Sequence, residues 1–304
     1  MRCTSSEGTA TSNETLLFTA VSKTSLVILG TAQDAGKPHI GCTKKCCASN
    51  AKEEVVSLGV VVPKEDKQYL FEATPDMGMQ MKWLSQSLGR AHSFVPDGIF
   101  LTHAHMGHYT GLMYLGKEAL HSQKVAVYAM SKMKTYLENN GPWSQLVTEA
   151  NIEILPLANE QVIVPTPQLK VTPLLVPHRD EYSETVGFTI EGPHKKALFI
   201  PDIDKWEKWN HDIVALIANV DYAFLDGTFY DGEELNHRDM SEIPHPFIVE
   251  SLETFKDLPP TERNKIFFIH LNHTNPLLDP KSAATQNVLD AGFYVARKGM
   301  VFEL

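Results

Sequence analysis

The sequence predicts an α/β chain, built either as two packed sheets with helices outside or as one doubly wound sheet. Three observations predict it. Short apolar runs of strand length recur along the chain, bounded by Gly, Pro and acidic residues. Between them lie stretches with apolar residues at helical spacing. The 304 residues are 43% apolar and 21% charged, a composition that suits a globular protein with ample chain to bury a core. No linker long enough to separate domains and no short-period repeat breaks the pattern, so residues 25–304 read as a single domain.

Taken in order, Ser25–Gly30 is a buried strand that ends in a glycine turn. Val55–Val62 is a second strand, and Tyr69–Ala73 pairs with it across the polar turn Lys64–Lys67. Pro75 and Asp76 open a helix over Met77–Leu88, whose stripe is Met77, Met81, Leu84 and Leu88 with Trp83 beside it. Asp97–Thr102 is a strand, Leu112–Leu120 a helix and Lys124–Ala129 a strand. Ser131 caps a helix that runs to Asn139. The second half repeats the alternation. Ile152–Leu155, Gln161–Val164 and Leu169–Val176 are strands, and Val186–Ile190 with Ala197–Ile200 form a hairpin around Gly192-Pro193. A helix over Asp204–Ala218, a strand over Tyr222–Leu225, a helix over Pro246–Phe255 and a strand over Lys265–His270 complete it.

Charge and the N-terminus narrow the function classes. The formal charge is −10, from 37 acidic and 27 basic side chains, which disfavours nucleic acid as a partner. A single phosphate at a metal centre stays compatible with it. No apolar run approaches the ~20 residues of a membrane span. The opening MRCTSSEGTATSNET is small and polar without an apolar signal core, so residues 1–24 read as a disordered tail. Cys3 stands where a processed lipoprotein would carry its lipid, with nothing upstream to support that. Clustered thiols favour the cytoplasm, whereas a signal already removed would place the chain in the periplasm or outside the cell.

Three of the four cysteines, Cys42, Cys46 and Cys47, lie within six residues. Neighbouring Cα atoms are ~3.8 Å apart, below the usual disulfide span, so Cys46 and Cys47 are poorly placed to bridge. Clustered thiols of this kind read as a metal site, with a redox cluster as the rival.

The histidines carry a second signal. His103, His105 and His108 lie in HAHMGH, directly after an apolar strand. Alternate residues of an extended segment share a face, so His103 and His105 point the same way, and Gly107 permits a turn that brings His108 back. Imidazole suits zinc, and also iron, manganese or nickel. His178, Asp202 and His270 obey the same positional rule, each a ligand type at the C-terminal end of an apolar strand. His237, Arg238, Asp239 and His245 lie in a polar loop that could line a pocket or simply enter a helix. Asp34 and His39 lie in the first glycine-rich loop and read as a turn residue and a surface histidine, with a metal-facing role as the rival. Met106, Tyr109, Trp206 and Trp209 read as packing.

These positions resemble the metallo-β-lactamase-fold superfamily, whose hallmark is His-x-His-x-Asp-His after a strand, followed by a His, an Asp and a His after later strands. The resemblance runs from about Ser25 to about Asp279. Within the superfamily it is to the pyrroloquinoline-quinone biosynthesis B group, carried by LGTAQDAGKPHIGC, FEATPD and HLNHTNPLL, and more distantly to the cyclic phosphodiesterases of phosphonate breakdown. It implies an αββα sandwich of two mixed sheets flanked by helices. It also implies one metal on His103, His105 and His178, with Asp202 bridging to a second metal on His108 and His270. Glu72 would brace the ligand loops. Gly107 departs from the hallmark, because relatives carry there the Asp that ligates the second metal and orients the water. A structural zinc on Cys42, Cys46, Cys47 and His273 is implied too, with Cys46 replacing a cysteine that relatives carry where Lys44 stands.

The resemblance implies a hydrolase that directs a metal-bound hydroxide at an ester, amide or phosphodiester, with Asp202, Glu72 and His245 as the polar groups at the reaction centre. Zinc is the expected active-site metal, with manganese or iron as alternatives, and the substrate is a small molecule or derives from a peptide. Two other readings stay open. One is a non-haem iron hydroxylase in quinone-cofactor biosynthesis, acting on a tyrosine-containing precursor. The other is a zinc-stabilised binding protein whose active site decayed at Gly107. Oligomeric state is not legible in the sequence.

Overall fold

The computed structural model describes residues 18–48, 51–90, 93–235 and 239–304. Its strands are β1 (Ser25–Gly30), β2 (Ser57–Val62), β3 (Lys67–Phe71), β4 (Gly98–Phe100), β5 (Val125–Ala129), β6 (Ile152–Pro156), β7 (Ile163–Thr166), β8 (Leu169–Leu175), β9 (Val186–Glu191), β10 (Lys196–Ile200), β11 (Tyr222–Asp226), β12 (Ile266–Ile269), β13 (Tyr294–Val295) and β14 (Val301–Glu303). They form two seven-stranded sheets, ordered β14-β1-β2-β3-β4-β5-β6 and β13-β12-β11-β10-β9-β8-β7. Both sheets are mixed. Antiparallel β1, β2 and β3 continue into parallel β4, β5 and β6, and antiparallel β8, β9 and β10 continue into parallel β11, β12 and β13.

Alternation along the strands builds three apolar layers. Leu26 and Ile28 of β1 face the second sheet, while Val27 and Leu29 face the helix Met77–Leu88. Between the sheets Phe71 stacks on Phe100 at 4.8 Å and meets Phe188 edge-on at 5.5 Å. Each such pair adds about 1 kcal/mol to the burial of its rings. Outside the second sheet, Leu198, Ile200, Leu225 and Phe268 pack on Trp206, Ile217, Phe255 and Val288. The result is the expected αββα sandwich.

Parallel strands carry the functional residues to one edge. Phe71 is level with Phe100, so Glu72 and the segment from Leu101 to His105 leave the first sheet side by side. Ile200 is level with Leu225, and Asp226 with Ile269, so Asp202, Asp226 and His270 leave the second sheet as neighbours. β8 runs in the same direction as β10, with β9 antiparallel between them, and delivers His178 to this edge.

Several local expectations change. In place of a helix over Leu112–Leu120 there is a short helix, Met106–Tyr109, and a 3-10 segment, Thr110–Leu115. The Gly111 amide donates to Ala73 O at 2.8 Å, and a Cβ on Gly111 would lie 2.1 Å from Thr74 O. The segment is clamped to the end of β3 before a regular helix can propagate. Ser131 is the first helical residue rather than the cap, and the Lys132 amide is taken by the Glu184 carboxylate. The expected Asp204–Ala218 helix is split into Trp206–Lys208 and Ile213–Ala218, because the Asp212 carboxylate accepts from the amides of Val214 and Ala215 and starts a new helix there.

Residues 18–24, expected to belong to a disordered tail, are packed on the domain. Phe18 is buried and stacks on Trp83 at 5.0 Å, and the Val21 amide donates to Ser87 O. Residues 1–17, including Cys3, and the loop residues His237 and Arg238 lie outside the described residues. No helix among the described residues is long and apolar enough to cross a membrane.

Candidate metal centre

The structure brings His103, His105, His178 and Asp202 together, with one donor atom of each within 4.8 Å of the others. Asp202 is their hub. Its Oδ2 lies 3.3 Å from His103 Nε2 and 3.8 Å from His105 Nδ1, and its Oδ1 lies 3.2 Å from His178 Nε2. The His178 side chain is fully buried, and neither ring nitrogen has a hydrogen-bond partner.

His108 and His270 form the other side of the centre. Asp202 Oδ2 reaches His108 Nε2 at 3.9 Å. A second carboxylate closes this side: Asp34 Oδ1 lies 3.2 Å from His108 Nε2 and 4.0 Å from His270 Nε2. Asp34 is the turn residue expected, and its side chain also faces the histidines. His39 does not. It stacks on His273 at 4.3 Å, beside the cysteines.

Hydrogen bonds orient the imidazoles. Thr102 Oγ1 donates to Glu72 Oε1 at 2.5 Å, so it accepts from His103 Nδ1 at 2.8 Å, and His103 Nε2 faces both Asp202 and, at 2.8 Å, His105 Nδ1. Thr228 repeats the device: its hydroxyl donates to Asp226 and accepts from His270 Nδ1 at 2.8 Å. His108 Nδ1 donates to the fully buried Glu72 carboxylate at 3.1 Å. Each tie fixes a tautomer and points the remaining nitrogen inward. His105 Nε2 is held by Glu181 at 3.2 Å, which leaves Nδ1 inward.

His245 does more than line a pocket. It is buried, with Nδ1 at 2.9 Å from Asp226 Oδ2 and 3.2 Å from Asp202 Oδ1, and it groups with Asp202, Asp226 and His270. Neither Asp226 nor Glu181 was singled out in the sequence. Asp226 ends the apolar run Tyr222–Asp226 and satisfied the same positional rule, so that signal was available. Glu181 sits in a polar loop with nothing local to mark it.

Charge at the centre is finely opposed. Burial disfavours ionisation of Asp202, yet His178, His245 and His270 outweigh it and hold the carboxyl well below its usual range. Burial pushes His270 down to about 4 and His103 well below the usual histidine value. For His245 burial is outweighed by Asp226 and Asp202, and its value rises to about 9. A metal cation would meet an Asp202 carboxylate that is already ionised.

Orphaned atoms show that the residues fit a metal. Among the described residues, six of the nine buried side-chain polar atoms without a hydrogen-bond partner lie here: Asp34 Oδ1, His108 Nε2, both nitrogens of His178, Asp202 Oδ1 and His270 Nε2. A buried polar atom left unpaired costs about 1–3 kcal/mol, and several aimed at one point are what an absent cation would satisfy. Three positions here, Asp34, Glu72 and His270, also hold positive φ without being glycine. Strain of this kind, of order 1–3 kcal/mol each, clusters at functional sites.

Glu72→Gln is expected to keep the fold and weaken metal retention at the histidines by about 10–100-fold, since the orienting bond to His108 loses its charge. Competition with a chelator measures it. Retention equal to the parent would reduce Glu72 to a packing role.

Cys42, Cys46, Cys47 and His273 form a separate group within the same 4.8 Å limit. Both Sγ–Sγ distances, Cys42 to Cys46 and Cys46 to Cys47, are 4.0 Å, close to the ~3.8 Å edge of a tetrahedron with Zn–S of about 2.3 Å. His273 Nδ1 donates to Asn272 Oδ1 at 3.0 Å, leaving Nε2 for the group. Burial, then the neighbouring thiols, pushes Cys46 up to about 11, so a cation is what would let this thiol ionise.

Comparison with known proteins bears on the fold and the family. "Coenzyme PQQ synthesis protein B" of Methylorubrum extorquens strain PA1 is 24% identical over 92% of this chain and 99% of its own length. The protein of the same name from Pseudomonas protegens is 24% identical over 91% and 99%. Among solved structures, zinc-bound PqqB from Methylobacterium extorquens superposes with a TM-score of 0.76 at 22% identity, covering 92% of this chain and all of that one. A diphosphatase of the PhnP family superposes with a TM-score of 0.67 at 22% identity, covering 93% and 98%. The beta-lactamase superfamily domain matches residues 67–271, which run from β3 through the histidine segment to the residue after His270, and the chain belongs to that superfamily.

Proposed function

We propose that the protein is a metal-dependent hydrolase of the PqqB-like kind, acting on an ester, amide or phosphodiester bond of a small or peptide-derived substrate. The convergence of partnerless, buried nitrogen and oxygen atoms around Asp202 carries this reading. His103, His105, His178 and Asp202 would hold a divalent cation, with zinc, manganese and iron all compatible with nitrogen and oxygen donors. Such a cation supplies a water of lowered pKa and polarises the oxygen of the scissile bond.

The chain's own residues set the conditions for that chemistry. Thr102 and Thr228 hold His103 and His270 in the tautomer that presents Nε2. Glu72 keeps His108 turned inward. His245, buried beside Asp202 and holding its proton through Asp226, is placed to hand a proton to a leaving group. The neighbouring PhnP-family structure, a diphosphatase, supports a phosphoryl compound, ester or anhydride, as the first substrate class to test.

A second reading, an iron-dependent hydroxylase in quinone-cofactor synthesis, draws support from the donor set of three histidines and one carboxylate and from the name of the relatives. Metal analysis of protein purified without added metal, with assays for phosphodiester hydrolysis and oxygen consumption, separates the two. Zinc or manganese beyond the cysteine site together with hydrolysis supports the hydrolase. Iron with substrate-dependent oxygen uptake supports the hydroxylase. Zinc at the cysteines alone overturns both.

A further inference from the structure

Gly107 stands where superfamily relatives carry a metal-ligating aspartate, and the structure shows what fills the space. A Cβ built on Gly107 would lie 2.4 Å from Asp34 Cα, 2.5 Å from Asp34 Oδ1 and 3.0 Å from Asp34 Cβ. Asp34 therefore occupies the volume into which a side chain at 107 would project, and its carboxylate oxygen lies within it. We infer that Asp34 supplies the carboxylate that position 107 lacks, and that Asp34, His108 and His270 hold a second active-site metal. The inference rests on the proposed metal site at His103, His105, His178 and Asp202.

Independent features place Asp34 there. The first loop is tied to the turn that carries His270: the Gln33 amide donates to Leu271 O at 2.9 Å and the Leu271 amide donates to Thr31 O at 2.8 Å. Ala32 and Leu271 form a parallel bridge. This pairing joins the first loop to the segment that follows β12 and so brings Asp34 beside His270. Asp34 takes positive φ, which turns its side chain inward. The side chain as a whole is 41% exposed, yet Oδ1 is sealed and has no hydrogen-bond partner. It faces two fully buried nitrogens in the same condition, His108 Nε2 and His270 Nε2.

The spacing suits ligands of one ion. Oxygen and nitrogen donors about 2.0–2.2 Å from a metal stand some 3.3–3.6 Å apart at tetrahedral angles, and Asp34 Oδ1 lies 3.2 Å from His108 Nε2 and 4.0 Å from His270 Nε2, either side of that spacing. Asp202 Oδ2 lies between the two groups, 3.3 Å from His103 Nε2 and 3.9 Å from His108 Nε2, where a bridging oxygen belongs. Loss of the hallmark carboxylate at 107 is thus no sign of a decayed site. The carboxylate has moved to another segment of the chain.

Gly107→Asp alone does not add a ligand, because the new side chain collides with Asp34 backbone. The test is therefore made at Asp34. Metal content is measured after loading with zinc, and with manganese for electron paramagnetic resonance, on the parent chain, Asp34→Ala and Asp34→Asn. The parent is expected to hold two metals beyond the cysteine zinc and to give the exchange-coupled signal of a manganese pair. Asp34→Ala is expected to lose one of them and the coupling, while keeping the cysteine zinc that reports an intact first loop. Asp34→Asn, which keeps the size of the side chain and removes its charge, is expected to lose the coupling too. If Asp34→Ala retains the parent's metal content and coupling, the inference fails while the proposed site at His103 stands. A parent chain that loads no metal at the histidines sinks both. If Asp34→Ala also sheds the cysteine zinc, Asp34→Asn decides: loss of the coupling supports the inference and the parent's coupling overturns it.

Discussion

His103→Ala is expected to remove the metal held with Asp202 and to lower hydrolysis by about a thousandfold or more, while the zinc at the cysteines stays. The reason is geometric. His103 Nε2 lies 3.3 Å from Asp202 Oδ2 and 2.8 Å from His105 Nδ1, the His103 and Asp202 side chains are almost wholly buried, and Thr102 fixes the ring so that this nitrogen points into the centre. Loss of metal-assisted polarisation is worth several kcal/mol in the transition state, and each 1.36 kcal/mol is tenfold in rate. The fold should survive, because His103 belongs to a loop after β4 and the Phe71–Phe100 layer beneath it is untouched. Asp202→Asn should act more strongly, since Asp202 is shared by the groups on both sides of the centre. Elemental analysis and a phosphodiesterase assay on the same preparations check both. A His103→Ala protein with the parent's metal content and rate would remove the basis of the functional proposal.

Cys47→Ala is expected to lower the melting temperature by about 10 °C or more and to release one zinc. A closed tetrahedral zinc centre contributes folding energy directly, and loss of several kcal/mol moves the melting point by some 2–4 °C per kcal/mol in a domain of this order of size. Cys42, Cys46 and Cys47 lie in the first loop, and His273 lies three residues beyond His270. The centre therefore ties together the two segments that bring Asp34 and His270 to the histidines. Activity should fall along with stability, and by more than the unfolded fraction alone explains. Calorimetry with zinc analysis checks it. An unchanged melting temperature and zinc content would leave the four residues as a thiol cluster without a structural metal.

Both predictions begin from residues that the sequence itself marked. His103, His105, His178, Asp202 and His270 were legible because each is a ligand type at the end of an apolar strand. The sandwich was legible only in part. Periodicity defined the strands and left two packed sheets and a doubly wound sheet equally open; the family resemblance chose between them. The helix Met77–Leu88 came out with the bounds expected because its apolar stripe and end signals are local.

What the sequence determined by itself is the set of local facts: which runs are strands, which residues can bind metal, and which strand ends carry them. Tertiary structure decided the rest. Gly111 is held to Ala73 by a hydrogen bond, and the helix expected after it is lost. His245 and Asp226 meet Asp202 because parallel strands deliver their loops to one edge. Asp34 meets Gly107 because the first loop pairs with Leu271, near the other end of the chain. The physical reason is the same in each case. A helix or strand pattern records neighbours in sequence, whereas a metal site is made by donors whose closeness depends on hydrogen bonds and packing between distant segments.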